Sequence, residues 1–152
     1  MKTYRPITKS KRQQISINYK EYLTASSPYK PLTKGIKRHV GRNSHGRITV
    51  RHKGGGHKRT QRLVDFVYVD KLNIPAKVET VEYNPNRSGF VSLIVYRDGE
   101  RRYILAPKSL PVGSTIITSE SAPLTTGNRL PIKKIPVGTF VYNVELQPNG
   151  GA

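Results

Sequence analysis

No acidic residue stands between Glu21 and Asp65, and the 43 residues of that gap hold eleven Lys and Arg side chains. Such a segment cannot close on itself into a dry core. Packing its few apolar groups together would crowd the cations where water screens them least. The imbalance extends to the N-terminus: residues 1–64 carry 17 Lys and Arg against one acid, whereas residues 65–152 carry 10 against eight. The formal charge of +18 and the pI near 10.4 therefore come almost wholly from the first half. A basic half joined to a nearly balanced half describes a nucleic-acid-gripping segment attached to a folding domain.

Length and composition set the other bounds. A chain of 152 residues with 35% apolar side chains holds one domain, or one and a fraction. It has no cysteine, so neither a disulfide framework nor a thiolate metal site is available. No apolar run reaches the length of a signal peptide or a membrane span. Met1–Arg12 is basic without a hydrophobic segment and is read as a solvated tail contacting nucleic acid, with an organellar transit role as the alternative.

Residues 1–46 show little periodicity and are interrupted by Pro6, Pro28, Pro31, Gly35, Gly41 and Gly46. They are expected to form a basic extended arm, with Ile15, Ile17, Tyr19, Tyr22 and Leu23 as points of local docking. From Arg47 a period of two begins. Ile48 and Val50 alternate with Arg47, Thr49 and Arg51, which predicts a strand. Further strands are expected at Leu63–Val69, Val78–Tyr83, Phe90–Tyr96, Arg102–Leu105, Ser114–Thr118 and Thr139–Leu146. Phe90–Tyr96 is apolar on both faces and belongs at the centre of a sheet. Asp98-Gly99 predicts a hairpin turn. Many short strands with Gly and Pro turns and no helical period indicate an all-β barrel.

The chemistry concentrates at Arg51-His52-Lys53-Gly54-Gly55-Gly56-His57-Lys58-Arg59. A nucleotide-binding loop would need a glycine five places on, then Lys and Ser or Thr; Arg59, Thr60 and Gln61 stand there instead. A metal site is suggested by His39, His45, His52 and His57, which fall within 19 residues. No carboxylate is near enough in sequence to serve as ligand or support, and dense cations repel a divalent ion. The remaining readings are a flexible solvated loop and a close approach of bare backbone N–H groups to phosphates, clamped by the flanking cations. Only the last explains why basic residues crowd both sides.

GRNSHGRITVRHKGGGHKR at residues 41–59 resembles the signature of the bacterial-type large-subunit ribosomal protein two family. The likeness continues through Asp65-Phe66, IPAKVETVEYNPNRSG at 74–89, YRDGERRYILAPK at 96–108, PLTTGNRLPIKKIPVGT at 123–139 and VYNVELQPNGGA at 141–152. The resemblance implies a five-stranded OB-fold-like barrel followed by an SH3-like barrel. It divides this chain into an arm over 1–46, an OB-like rRNA-binding domain over 47–127 and the beginning of the second domain over 128–152. It implies a structural constituent of the large ribosomal subunit. Such a protein is a primary binder of 23S-type rRNA that supports assembly, subunit association and the peptidyl-transferase region. Arg42, Arg47, Arg51, His52, Gly54, Gly55, Gly56, His57 and Lys58 match the family's RNA-contacting segment; Arg87 matches a contacting arginine, and Arg101 and Arg102 a basic hairpin. Arg38, Lys53, Arg59, Arg62 and Lys108 complete the expected RNA-binding set. The expected partners are large-subunit rRNA and other ribosomal proteins, with no membrane, no small-molecule substrate and no cofactor beyond RNA-associated Mg2+. The expected location is the ribosome of a bacterial cytoplasm, or of a mitochondrial or plastid matrix. Family members continue past Gly150-Gly151-Ala152, so this chain is expected to be an N-terminal portion, or to be completed by a second chain. Where the family often has a basic pair after Asp65-Phe66, this chain has Val67-Tyr68-Val69-Asp70, and Tyr68 is the residue that would stack on a base there.

Other readings make different demands. A free-standing OB-fold protein for single strands would spread stacking aromatics over one barrel face. Tyr83, Tyr96 and Tyr103 are read as packing residues instead. An RNA-processing enzyme would need a carboxylate near His52 or His57. Glu79 and Glu82 are read as solvent-facing strand positions, so no enzymatic activity is expected.

Overall fold

The computed structural model describes residues 1–152. Its centre is an antiparallel sheet in the order β7-β6-β5-β8, made of β5 (Ala76–Glu82), β6 (Val91–Tyr96), β7 (Arg101–Leu105) and β8 (Thr115–Ile116). Period-two alternation gives β6 two buried faces. Ile94 and Tyr96 join Ala76, Val78, Ile104, Leu110 and Ile116 on one side, while Val91 and Leu93 join Tyr103 on the other. Leu93 pairs with Thr80 and with Tyr103, so β6 is the central strand expected of Phe90–Tyr96. The Asp98-Gly99 turn closes the β6–β7 hairpin, with the Gly99 N–H donating to Tyr96 O at 2.9 Å. A register shift between Val78 and Thr80 in β5 lets the sheet curl. The result is an all-β, OB-fold-like half-barrel.

The rest of the barrel wall comes from earlier chain. β3 (Thr33–Gly35) pairs antiparallel with β4 (Thr60–Arg62). Beyond β4, Val64 forms a parallel bridge with Tyr103, and the Asp65 N–H donates to Tyr103 O at 2.8 Å. Tyr29 and Leu32 pack on the Val91–Leu93–Tyr103 cluster. Thr24 pairs with Val81 through both its N–H (3.0 Å) and its Oγ1, which accepts the Val81 N–H at 2.9 Å. A one-turn helix, α1 (Tyr19–Tyr22), sets Tyr19 against Tyr83 and Phe90. The segment from Tyr19 to Gly35, expected to be extended arm, is thus laid against the barrel. Only β1 (Lys2–Thr3) and β2 (Ile15–Ser16) pair ahead of it.

Three expected strands do not form. Arg47–Arg51 contributes one bridge, Ile48 to Arg42, because the chain turns at both ends of it. Leu63–Val69 stops at the Val64 bridge, where Tyr68 adopts a left-handed φ of 58° and a 3-10 turn over Val69–Lys71 follows. Thr139–Leu146 has no strand beside it to accept its hydrogen bonds, and Phe140 and Leu146 stand fully exposed. Glu82 is a further correction. It is 3% exposed rather than solvent-facing, accepting Tyr103 Oη–H at 2.7 Å and Thr80 Oγ1–H at 3.0 Å.

Candidate nucleic-acid interface

Five of the ten Lys and Arg of residues 65–152 are paired with carboxylates of the same chain: Lys71, Arg101, Arg102, Arg129 and Lys134. Arg101 binds Glu79 through two hydrogen bonds at 2.8 and 2.9 Å, with its guanidinium over the Tyr29 ring. Arg102, whose side chain is 19% exposed, donates to Asp70, Asp65 and Glu100. Those bonds, Asp70's first, hold the guanidinium even more firmly protonated than usual. Lys71 bridges Asp98 and Glu100, and Arg129 pairs with Glu145. Hydrogen bonds from Arg102 and Lys71 lower the carboxyls of Asp70, Asp98 and Glu100 below their ordinary range. Arg101 and Arg102, expected to contact RNA, are also matched by carboxylates of this chain: Arg101 ties β7 to Glu79 of β5, and Arg102 ties β7 to Asp65 and Asp70.

The first half is the opposite case. None of the 17 Lys and Arg of residues 1–64 has a carboxylate within ion-pair distance. Arg38, Arg42, Arg47, Arg51, His52, Lys53, Gly54 to Gly56, His57, Lys58 and Arg59 are all exposed. They belong to one excursion between β3 and β4, so the β3–β4 pair returns both ends of the basic loop to the same barrel edge. Arg62, in β4, is partly covered. Its Nη1 donates to Thr60 O at 2.8 Å, while its Nε is buried without a partner. Lys108 is exposed outside this excursion, in the chain that follows β7.

Arg87 joins this edge. The buried Asn84 accepts the Asn86 N–H at 3.0 Å, a tight Asx turn, and Asn86 Nδ2 donates to Thr60 O at 3.4 Å. The Arg87 loop is thereby held beside β4, with its guanidinium over Phe66 at 5.0 Å and exposed to solvent. Tyr68 is not a stacking platform. Arg129 covers its ring at 4.4 Å, and burial pushes its hydroxyl well above the ordinary range. Tyr96 and Tyr103 are buried in the core, and Tyr83 packs edge-on to Tyr19, as their reading as packing residues requires.

The three glycines separate. Gly55 and Gly56 hold φ of 82° and 93°, a left-handed turn that disfavours side chains, and a Cβ on Gly56 would meet Arg38 Nη1 at 2.9 Å. Gly54 lacks positive φ and has open space around it. Gly41, which in the sequence is only one of the breaks in the arm, has the strictest requirement of the loop. With φ of 73°, its Cβ would stand 2.4 Å from Val50 O, and its own carbonyl accepts the N–H groups of Thr49 (2.8 Å) and Val50 (3.1 Å). The paired glycines Gly41 and Gly46 around Asn43 were the available signal of a tight, closed loop. No three His, Asp or Glu side chains come together as a metal-holding group, so the histidine cluster seen in the sequence does not converge.

Residues 29–118 match the family described as Ribosomal Proteins L2, RNA binding N-terminal domain. The chain belongs to the ribosomal protein L2 family. The matched span of this L2 chain begins at Tyr29, where the segment docks on the barrel, and includes the whole basic excursion. The eleven uncompensated cations from Lys30 to Arg62 thus lie on an RNA-binding domain of a large-subunit ribosomal protein.

Proposed function

We propose that this chain is a primary binder of 23S-type rRNA that supports assembly of the large subunit and its association with the small one, in a bacterial ribosome. The observation that carries the reading is the partition of charge. Five of the ten Lys and Arg of residues 65–152 pair with carboxylates of this chain, whereas none of the 17 in residues 1–64 does. Folded RNA supplies the missing counter-charge. Each phosphate contact releases condensed cations, so affinity should fall steeply with salt. Recognition is then of shape and backbone, with exposed N–H groups around Gly54 available to phosphate oxygens and Mg2+ entering as a counterion of the RNA.

The test is binding of the full chain to a 23S-type rRNA domain and to an unrelated structured RNA across a salt series. Tighter binding to the rRNA domain, with a log–log slope of several units, is expected. Equal affinity for both RNAs would overturn the assignment to rRNA, and a flat salt response would overturn the phosphate mechanism.

A further inference from the structure

We propose that the closed loop from Val40 to Gly54 is a preformed receptor for a single nucleotide extruded from the RNA. This rests on the RNA-binding reading and goes beyond it by naming a contact that is not to phosphate alone. The loop borders an open concavity of about 550 Å³, lined by apolar Val40, Ile48 and Val50 and by cationic Arg42, Arg51 and Lys53. That volume falls in the range of small-ligand sites, ~300–1,000 Å³. Ile48 is 62% and Val50 49% exposed, so β-branched side chains face solvent in the most hydrophilic part of the chain. A solvated phosphate clamp has no use for them. A nucleobase does, because its face needs apolar or planar cover once it leaves the stack, while its own phosphates need cations nearby. The charge is complementary throughout, since no acid occurs from Thr24 to Val64.

The loop is also held in shape before any RNA arrives. Arg42 bridges Ile48, Asn43 N–H donates to Arg47 O at 2.9 Å, and Arg42 Nη1 donates to Gly46 O at 2.9 Å. Two lining residues sit in left-handed backbone, Val40 at φ 43° and His52 at φ 60°. For β-branched Val40 this conformation is costly, and strain of this kind concentrates where a ligand is held. A polyanion contacting exposed arginines alone would not require it.

Two RNA hairpins of equal length decide the matter, one fully paired and one carrying a single bulged adenosine. The full chain should bind the bulged hairpin about tenfold more tightly. Ile48→Ser and Val50→Ser should each erase that preference and leave the salt slope unchanged, because no charge is removed. In the unaltered chain, the Ile48 and Val50 methyl resonances should shift with the bulged hairpin and not with the paired one. Equal binding of the two hairpins, a preference that survives both substitutions, or methyl resonances that do not distinguish the hairpins would overturn the receptor. Loss of all salt-dependent binding to both hairpins would instead refute the RNA-binding reading on which it rests.

Discussion

Replacing Tyr103 with Phe removes one oxygen atom from a fully buried position, and that atom joins three parts of the fold. Tyr103 Oη accepts the Tyr29 N–H at 2.7 Å and donates to Glu82 Oε2 at 2.7 Å. Its ring lies against Val91 and Leu93 and keeps its packing in the variant. The loss is therefore polar. Two hydrogen bonds at a net of about 1 kcal/mol each are broken, and a buried carboxylate oxygen without its donor adds roughly 1 kcal/mol or more. Thr80 still donates to the other oxygen of Glu82, which limits the penalty. The sum is about 3 kcal/mol, or a fall of roughly 10 °C in midpoint for a domain of this size. Thermal and urea denaturation should read that fall. Amide exchange should locate it, with lost protection at Tyr29 and its neighbours ahead of β6. A Tyr103→Phe chain with an unchanged midpoint and an unchanged Tyr29 amide would refute the claim that this hydroxyl clamps the incoming segment to the barrel.

Gly54→Ala should leave the midpoint nearly unchanged and weaken rRNA binding about tenfold, whereas Gly55→Ala, at φ 82°, should cost about 1 kcal/mol of loop strain as well; parallel melting and binding curves separate the two. Arg51→Ala and Lys58→Ala should each lower the salt slope of rRNA binding by about 1. Arg102→Ala should leave that slope alone and lower the midpoint instead, because it abandons Asp65, Asp70 and Glu100. The carboxyls of Asp70, Asp98 and Glu100 are held low by Arg102 and Lys71, so their contribution to stability is present above the ordinary carboxylate range and is lost as pH falls through their depressed values; denaturation in a pH series should show it, and Arg102→Ala should flatten it. Burial pushes Tyr96 up to about 12 and Tyr68 and Tyr103 higher still, so their neutral forms favour the folded state below the ordinary tyrosine range and that preference is lost as pH rises through the raised values; ultraviolet titration should find them ionising after the exposed tyrosines.

Local pattern was enough for part of this protein. The two-faced apolar run of β6, the Asp98-Gly99 hairpin and the all-β class follow from side-chain period and turn chemistry, which act over a few residues. The cationic character of residues 1–64 is a matter of counting, and the family signature lies in contiguous residues 41–59. What counting does not tell is which cations are free. Arg51 and Arg102 are equivalent as letters, yet Arg102 meets Asp65 across 37 positions while Arg51 meets no carboxylate. The fate of Glu82 was hidden for the same reason, since its partner Tyr103 is 21 positions away on another strand. Strand period also misled at Arg47–Arg51 and Thr139–Leu146, because alternation describes a strand's faces but not whether a neighbour is present to complete its hydrogen bonds. Gly41 shows the converse. Its need for glycine is a close approach to Val50 O, a contact that exists only once the loop has closed. The sequence thus determined which half of the chain is cationic. The tertiary structure decided which charges remain for a partner, because ion pairing depends on distance in space and not along the chain.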